Sequence, residues 1–131
     1  MILLDTHVWI WYLTEPARLS TLALDTITEA RLAGPLGVSS ISVWEACQLE
    51  ARGRLKFKQG LEAWLSATER LSFLHFIPVD NDVARRAMLL PGKLHHDPAD
   101  RIIVATALQF SASLVTRDSR LLEYPHVRAV W

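Results

Sequence analysis

The alternation of short apolar runs with segments of helical periodicity most strongly limits how this chain can fold. The first run, residues 2–5, is apolar at every position except its last, the acid Asp5. A strand that is apolar on both sides is buried on both faces, as in a parallel sheet covered by helices. We therefore predict an α/β fold: a three-layer α/β/α sandwich with a mostly parallel sheet of four to five strands.

The same alternation continues to the end of the chain. Further strands are predicted at residues 36–39, 73–79, 113–116 and 127–130. Ser20 and Asp80 are suitable N-caps for two of the amphipathic helices between them, and another helix covers roughly residues 41–52. Because no repeat or linker interrupts this pattern, a single domain over residues 1–131 is expected.

The charge balance excludes a strong global attraction for nucleic acid. Lys plus Arg and Asp plus Glu are both 14, although residues 1–50 carry a net −4 and residues 51–131 a net +4. The one cysteine, Cys47, cannot form an intramolecular disulfide, which suits a reducing compartment. The sequence shows neither a basic leader nor an apolar stretch long enough for a bilayer, so a cytoplasmic protein with no membrane partner is expected.

Two acids follow predicted strands. Asp5 ends the first strand, and Asp118 lies just after the fourth. Ligands of open parallel sheets bind at the carboxyl ends of the strands, so these positions favour a functional site. Asp118 also has a purely structural explanation, since it is a suitable N-cap for residues 119–122.

Two more acids lie on the apolar sides of predicted helices. Glu45 has apolar neighbours four residues away on either side, and Asp100 shares a helical row with Ile103 and Val104. Asp97, three residues before Asp100, is placed to be the N-cap of the same helix. A carboxylate that faces a core needs a partner, and a metal ion is one candidate.

Convergence of these four acids would raise some of their pKa values unless a cation kept them ionised. The set lacks the His and Cys ligands of a zinc site, so Mg²⁺ or Mn²⁺ fits it better. Mg²⁺ leaves coordination positions for a phosphate oxygen and a water molecule, as phosphodiester hydrolysis requires. Taken singly, each acid is also explained as a helix cap or a salt-bridge partner.

Four segments carry a family resemblance: Leu3-Leu4-Asp5-Thr6-His7, Ser42-Val43-Trp44-Glu45, His96-Asp97-Pro98-Ala99-Asp100-Arg101 and Leu114-Val115-Thr116-Arg117-Asp118. Each is weak alone, but in this order they resemble the PIN-domain ribonucleases, and within them the VapC-type toxins of bacterial toxin–antitoxin pairs. The resemblance covers nearly the whole chain. It implies a helix-covered parallel sheet, a Mg²⁺ or Mn²⁺ site and endonucleolytic cleavage of RNA.

The resemblance also implies residue roles. The catalytic and metal-binding acids of the family correspond to Asp5, Glu45, Asp100 and Asp118. Asp97 is a second acid at the same helix start, and we assign it as the cap, with metal ligation as the alternative. Thr6 and Thr116 are the supporting polar residues. The toxins of the family are usually homodimers inhibited by a cognate antitoxin, so both partners are expected here.

Several basic and aromatic residues are candidates for contact with RNA. His96, its neighbour His95, Arg101 and Arg117 flank the acids and are candidate phosphate contacts, although an internal salt bridge explains either arginine equally well. Trp9 and Trp11 either stack on unpaired bases or pack in the core or a dimer interface. In the basic segment 52–58, basic side chains alternate with Leu55 and Phe57, and these basic side chains face either RNA or solvent.

Two other classes of function remain open from the residues. Aspartyl-phosphate phosphatases and receiver domains also place an aspartate at a strand end, although Asp5-Thr6-His7 lacks the second aspartate of such phosphatases. In a non-catalytic RNA-binding or protein-binding module, the acids would be only caps and ion pairs. Tight Mn²⁺ binding would count against that second alternative.

Overall fold

The sheet is the centre of the structure, a computed structural model that describes residues 1–131. All five strands are parallel, in the order β3-β2-β1-β4-β5. Their bounds are Ile2–Leu4 (β1), Leu36–Ser39 (β2), Leu74–Ile77 (β3), Ser113–Val115 (β4) and Ala129–Val130 (β5). The predicted parallel sheet is confirmed. β2 has the predicted bounds, and the other four strands are shorter than predicted because their outer residues belong to caps and loops.

Seven helices and one 3₁₀ turn, Pro16–Arg18, connect the strands. The helices are Thr6–Thr14 (α1), Thr21–Ala33 (α2), Ser40–Ala51 (α3), Leu61–Glu69 (α4), Asn81–Met88 (α5), Pro98–Gln109 (α6) and Ser119–Leu122 (α7). Ser20 and Asp80 are N-caps, as predicted, and each accepts a hydrogen bond from the backbone amide three residues later. None of these helices has the length and apolarity needed to cross a membrane.

Helices cover both faces of the sheet, which confirms the three-layer sandwich. Leu3 and Leu4 are adjacent in β1 and fully buried, yet they belong to different hydrophobic clusters because successive side chains of a strand point to opposite faces. The cluster around Leu4 includes Trp9 from α1, and the cluster around Leu3 includes Ile103 from α6. Trp9 is therefore a core residue, which excludes it from stacking on a base.

The strand order reverses direction at β1. The chain adds β2 and β3 on one side of β1, and β4 and β5 on the other. At such a switch point the loops that follow the strands diverge, which opens a crevice at the carboxyl ends of the strands. Asp5 follows β1 and Asp118 follows β4, so the topology brings both to this crevice.

Gly37 in β2 provides a test of the packing between neighbouring strands. A methyl group at this position would lie 3.1 Å from Leu3 Cδ1 and 3.2 Å from the Ile2 carbonyl oxygen. We expect Gly37→Val to lower the free energy of unfolding by about 1–3 kcal/mol through overpacking, measured by urea denaturation. Gly34→Ala is the control, because no atom lies within 4 Å of an added Cβ there. Equal stability of both variants would contradict this account.

Candidate active site

A cavity of about 610 Å³ lies at the switch point of the sheet. It is lined by all five predicted acids: Asp5, Glu45, Asp97, Asp100 and Asp118. Thr6 lines it as well. The acids come from distant parts of the sequence and reach one place because the strand ends and helix starts around β1 meet there.

Asp5 lies at the bottom of the site and is only 8% exposed. It is the N-cap of α1, with its Oδ1 accepting from the Thr6 amide at 2.8 Å. Its Oδ2 accepts from the Thr116 hydroxyl at 2.6 Å, and the same hydroxyl accepts from the Asp118 amide at 3.0 Å. Burial raises the pKa of Asp5, and the nearby charge of Asp100 raises it further. Thr116 thus links the two acids that follow β1 and β4.

Glu45 projects from α3 toward Asp5. The Thr6 hydroxyl donates to Glu45 Oε1 at 2.5 Å and lies 2.8 Å from the hydroxyl of the buried Ser42, one turn earlier on α3. Burial raises the pKa of Glu45 to about 7, and the negative charges of Asp5 and Asp100 contribute to the rise. Ser42 is a site residue that the sequence did not single out, although its position three residues before Glu45 places both on one helical face.

Asp97 and Asp100 have different environments at the start of α6. Asp97 is exposed, and its Oδ1 accepts from the Asp100 amide at 3.0 Å, which confirms the predicted N-cap. The Asp100 side chain is 13% exposed, and its Oδ2 lies 2.6 Å from His95 Nε2. Burial raises the pKa of Asp100, against the lowering effect of the His95 hydrogen bond. His95, rather than His96, therefore contacts an acid of the site.

Asp118 is the acid with a strong basic partner. It caps α7, and Arg120 donates to both of its carboxylate oxygens, at 3.2 Å from Nε and 2.8 Å from Nη2. Arg120 Nη2 also lies 3.5 Å from Asp100 Oδ2. The Arg120 hydrogen bonds lower the pKa of Asp118. Arg120 was not among the residues predicted from the sequence, although a long basic side chain two residues after a capping acid is placed to reach it.

The residues fit a hard divalent cation. His95, Asp100 and Asp118 each place one potential ligand atom within 4.8 Å of the others. Asp5 and Glu45 accept hydrogen bonds only from hydroxyl and amide groups and form no salt bridge, so their ionised forms lack a neutralising charge. Two of the three ligand atoms that lie together are carboxylate oxygens, which Mg²⁺ and Mn²⁺ prefer, and the third is an imidazole nitrogen of His95, a ligand type that the sequence did not predict.

Comparison with known proteins agrees with the fold. The family model of the PIN domain matches residues 2–127. The chain belongs to the PIN domain family. It is also 36% identical over 129 residues to ribonuclease VapC22 of Mycobacterium tuberculosis, in an alignment that covers 98% of this chain and 95% of that relative.

Solved structures share the PIN fold at lower sequence identity. VapBC2 from Rickettsia felis, bound to a DNA fragment from its promoter, matches with a TM-score of 0.72 and 18% identity. DNA-bound VapBC from Salmonella typhimurium matches with a TM-score of 0.69 and 17% identity. Each match covers 99% of this chain and 98% of the other. At these identities the likeness shows the fold alone.

The predicted phosphate contacts of this PIN domain are found in different places. Arg117 is exposed and lines the acidic cavity, whereas Arg101 and His96 line a separate groove between α5 and α6. Arg101 donates from Nε to the Ala87 carbonyl and from Nη1 to the Leu94 carbonyl, both at 3.0 Å. Its guanidinium links the last turn of α5 to the loop before α6, and it forms no salt bridge with an acid of the site.

The raised pKa of Glu45 predicts how the metal-free PIN domain responds to pH. Between the ordinary pKa of 4.5 and the folded pKa of about 7, the folded chain keeps a proton that the unfolded chain releases. Stability therefore falls as pH rises through this range, by about 1–2 kcal/mol after allowance for solvent screening of a partly exposed group. Urea denaturation in EDTA at pH 5 and pH 8 measures the difference. Glu45→Gln should reduce it, and an unchanged pH dependence in that variant would contradict the assignment.

Proposed function

We propose that this PIN domain is a metal-dependent endoribonuclease that hydrolyses RNA phosphodiester bonds. The observation that carries the proposal is the convergence of four acids, Asp5, Glu45, Asp100 and Asp118, in one cavity where two of them lack any basic partner. The 36% identity to a protein named as a ribonuclease supports RNA as the substrate. A set of helix caps does not require this concentration of carboxylates in one cavity.

Mg²⁺ or Mn²⁺ bound by the four acids would polarise the scissile phosphate and lower the pKa of an attacking water. The residues around the acids orient them for this role. Thr116 fixes one oxygen of Asp5, Thr6 fixes one oxygen of Glu45, and His95 fixes one oxygen of Asp100. Such partners hold ligands in position and limit the reorganisation needed when the cation binds.

Cleavage of a purified RNA transcript tests this proposal directly. We expect internal cuts in the presence of Mg²⁺ or Mn²⁺, no cuts in EDTA, and no cuts in a DNA strand of the same sequence. Calorimetric titration with Mn²⁺ should show binding in the same protein preparation. A protein that binds RNA but cleaves none with either ion would instead support the non-catalytic binding module, and cleavage in EDTA would contradict the metal dependence.

We further propose that the chain is the toxin of a type II toxin–antitoxin pair and that it forms a homodimer in the cytoplasm. The named relative is a VapC ribonuclease, and the solved structures with the same fold include VapBC complexes. Expression of the wild-type chain should therefore stop bacterial growth, and co-expression of a cognate antitoxin should restore it. Sedimentation equilibrium should give about twice the chain mass of 14.8 kDa. Unimpaired growth together with a monomeric mass would contradict this assignment.

A further inference from the structure

A second cavity of about 320 Å³ adjoins the acidic one. The two lie side by side, because they share three lining residues, His7, Trp11 and Arg54. The second cavity is also lined by Lys56, Arg18 and Glu15, and the last two form a salt bridge at 3.0 Å. We call this second cavity the basic trough. It begins at the edge of the acidic cavity, and its lining carries three cations, Arg18, Arg54 and Lys56, against one acid, Glu15.

The alternating segment after α3 explains how the trough is built. Leu55 and Phe57 are partly buried against the core, and Phe57 stacks on Trp64 with ring centroids 4.2 Å apart. Arg54 and Lys56, the alternate residues, are exposed and line the trough. The apolar residues of this segment therefore hold it against the core, and the alternate residues, Arg54 and Lys56, line the trough.

The cations at the edge of the site are not neutralised by the protein. Arg54, Lys56 and Arg117 form no salt bridge, in contrast to Arg120, which is paired with Asp118. A metal site surrounded only by acids would repel an approaching polyanion. Unpaired cations just outside the acids provide the attraction that brings phosphates to the site.

Trp11 lies where the acidic cavity and the trough meet. Unlike the buried Trp9, it is partly exposed, and it lines both cavities. The guanidinium groups of Arg18 and Arg117 lie 5.4 and 5.9 Å from its ring centroid. Arg18 is paired with Glu15, whereas Arg117 forms no salt bridge. An aromatic ring beside an unpaired guanidinium group is a combination that binds single-stranded nucleic acid, by stacking on bases and by contact with phosphates.

We propose that the basic trough binds the single-stranded RNA segment adjoining the scissile phosphate, with Trp11 stacking on a base and Arg54 and Lys56 contacting the backbone. This inference rests on the proposed ribonuclease function and adds a substrate-binding subsite outside the acids. It also selects single-stranded over duplex RNA, because a base inside a duplex already stacks on its neighbours and has no free face for a protein ring.

Binding measurements test the cations first. Fluorescence anisotropy with a labelled single-stranded RNA, in an Asp5→Asn background that prevents cleavage, compares Arg54→Gln/Lys56→Gln with Arg86→Gln/Arg128→Gln. The control pair removes the same charge from exposed residues outside both cavities. We expect about ten-fold weaker binding for the trough pair only. The slope of log affinity against log salt should fall by about 1.4, since each phosphate contact of a single strand contributes about 0.7.

A second measurement tests stacking at Trp11. Trp11→Leu keeps an apolar side chain but removes the aromatic face, and we expect about ten-fold weaker binding, within the range known for base stacking. Trp11→Phe should recover most of the affinity. A 2-aminopurine base at the stacked position should be quenched by the protein with Trp11 and not by the Leu variant. Equal binding by the Leu and Phe variants would overturn the stacking role.

The outcomes separate this inference from the proposed function. If the wild-type chain cleaves RNA while the trough variants bind RNA as the control pair does, the trough proposal is wrong and the ribonuclease assignment stands. Failure of the wild-type chain to cleave RNA with either cation would contradict the proposed ribonuclease function. If the trough variants lose only the binding of a protein antitoxin, the trough is a protein interface, and the RNA proposal is overturned.

Discussion

Asp5→Asn is expected to reduce RNA cleavage by about a thousand-fold while the fold is retained. Asp5 is the most deeply buried acid of the site, and its charge is not balanced by any salt bridge. Loss of a cation ligand removes several kcal/mol of charge stabilisation, and each 1.4 kcal/mol corresponds to a factor of ten in rate. Asn has nearly the same shape as Asp and is an equally good N-cap, so α1 should still begin at Thr6.

Activity and metal binding should be measured together in this variant. Initial rates at saturating Mn²⁺ give the loss of catalysis, and thermal melts with and without Mn²⁺ report binding independently of activity. The wild-type melting temperature should rise with Mn²⁺, and that of Asp5→Asn should rise much less. Asp25→Asn, an exposed acid on α2, is the matched control and should behave as wild type. Full activity in the Asp5 variant would show that Asp5 is not required for cleavage.

The main features of the fold could be predicted from local patterns. The apolar run before Asp5 predicted a strand buried on both faces, and Leu3 and Leu4 are indeed completely buried in opposite clusters. The caps Ser20 and Asp80 were also predictable, because a capping side chain contacts an amide only three residues away. Interactions of this kind depend on short stretches of sequence, so a single sequence contains enough information to recognise them.

The contacts made by long side chains could not be predicted in the same way. Arg101 follows Asp100 directly, yet its guanidinium reaches the Ala87 carbonyl, 14 residues away, instead of the site. Arg120 contacts both Asp118 and Asp100, and this depends on how α6 and α7 meet at the end of β4. A flexible side chain can reach several partners, and tertiary packing decides which of them it contacts.

The difference between Asp100 and Asp97 gives the second large effect. Asp100→Asn is expected to reduce cleavage by more than a hundred-fold, because it removes a largely buried charge that lies 2.6 Å from His95 and close to Asp118. Asp97→Asn should reduce it only a few-fold, since Asp97 is exposed and Asn caps a helix as well as Asp does. Initial rates across a Mn²⁺ titration measure both variants.

Substitutions at Asp97 also distinguish a helix cap from a metal ligand. If Asp97 serves as the cap, it fixes the first turn of α6, and that turn directs Asp100 toward the other acids. Asp97→Ala removes the cap altogether, so it should destabilise the chain by about 1 kcal/mol and lower the rate further than Asp97→Asn does. A direct metal ligand would show the opposite pattern: Asn would be nearly as damaging as Ala, and the apparent Mn²⁺ affinity would fall equally in both. That result would assign ligation to Asp97 and leave Asp100 as the partner of His95.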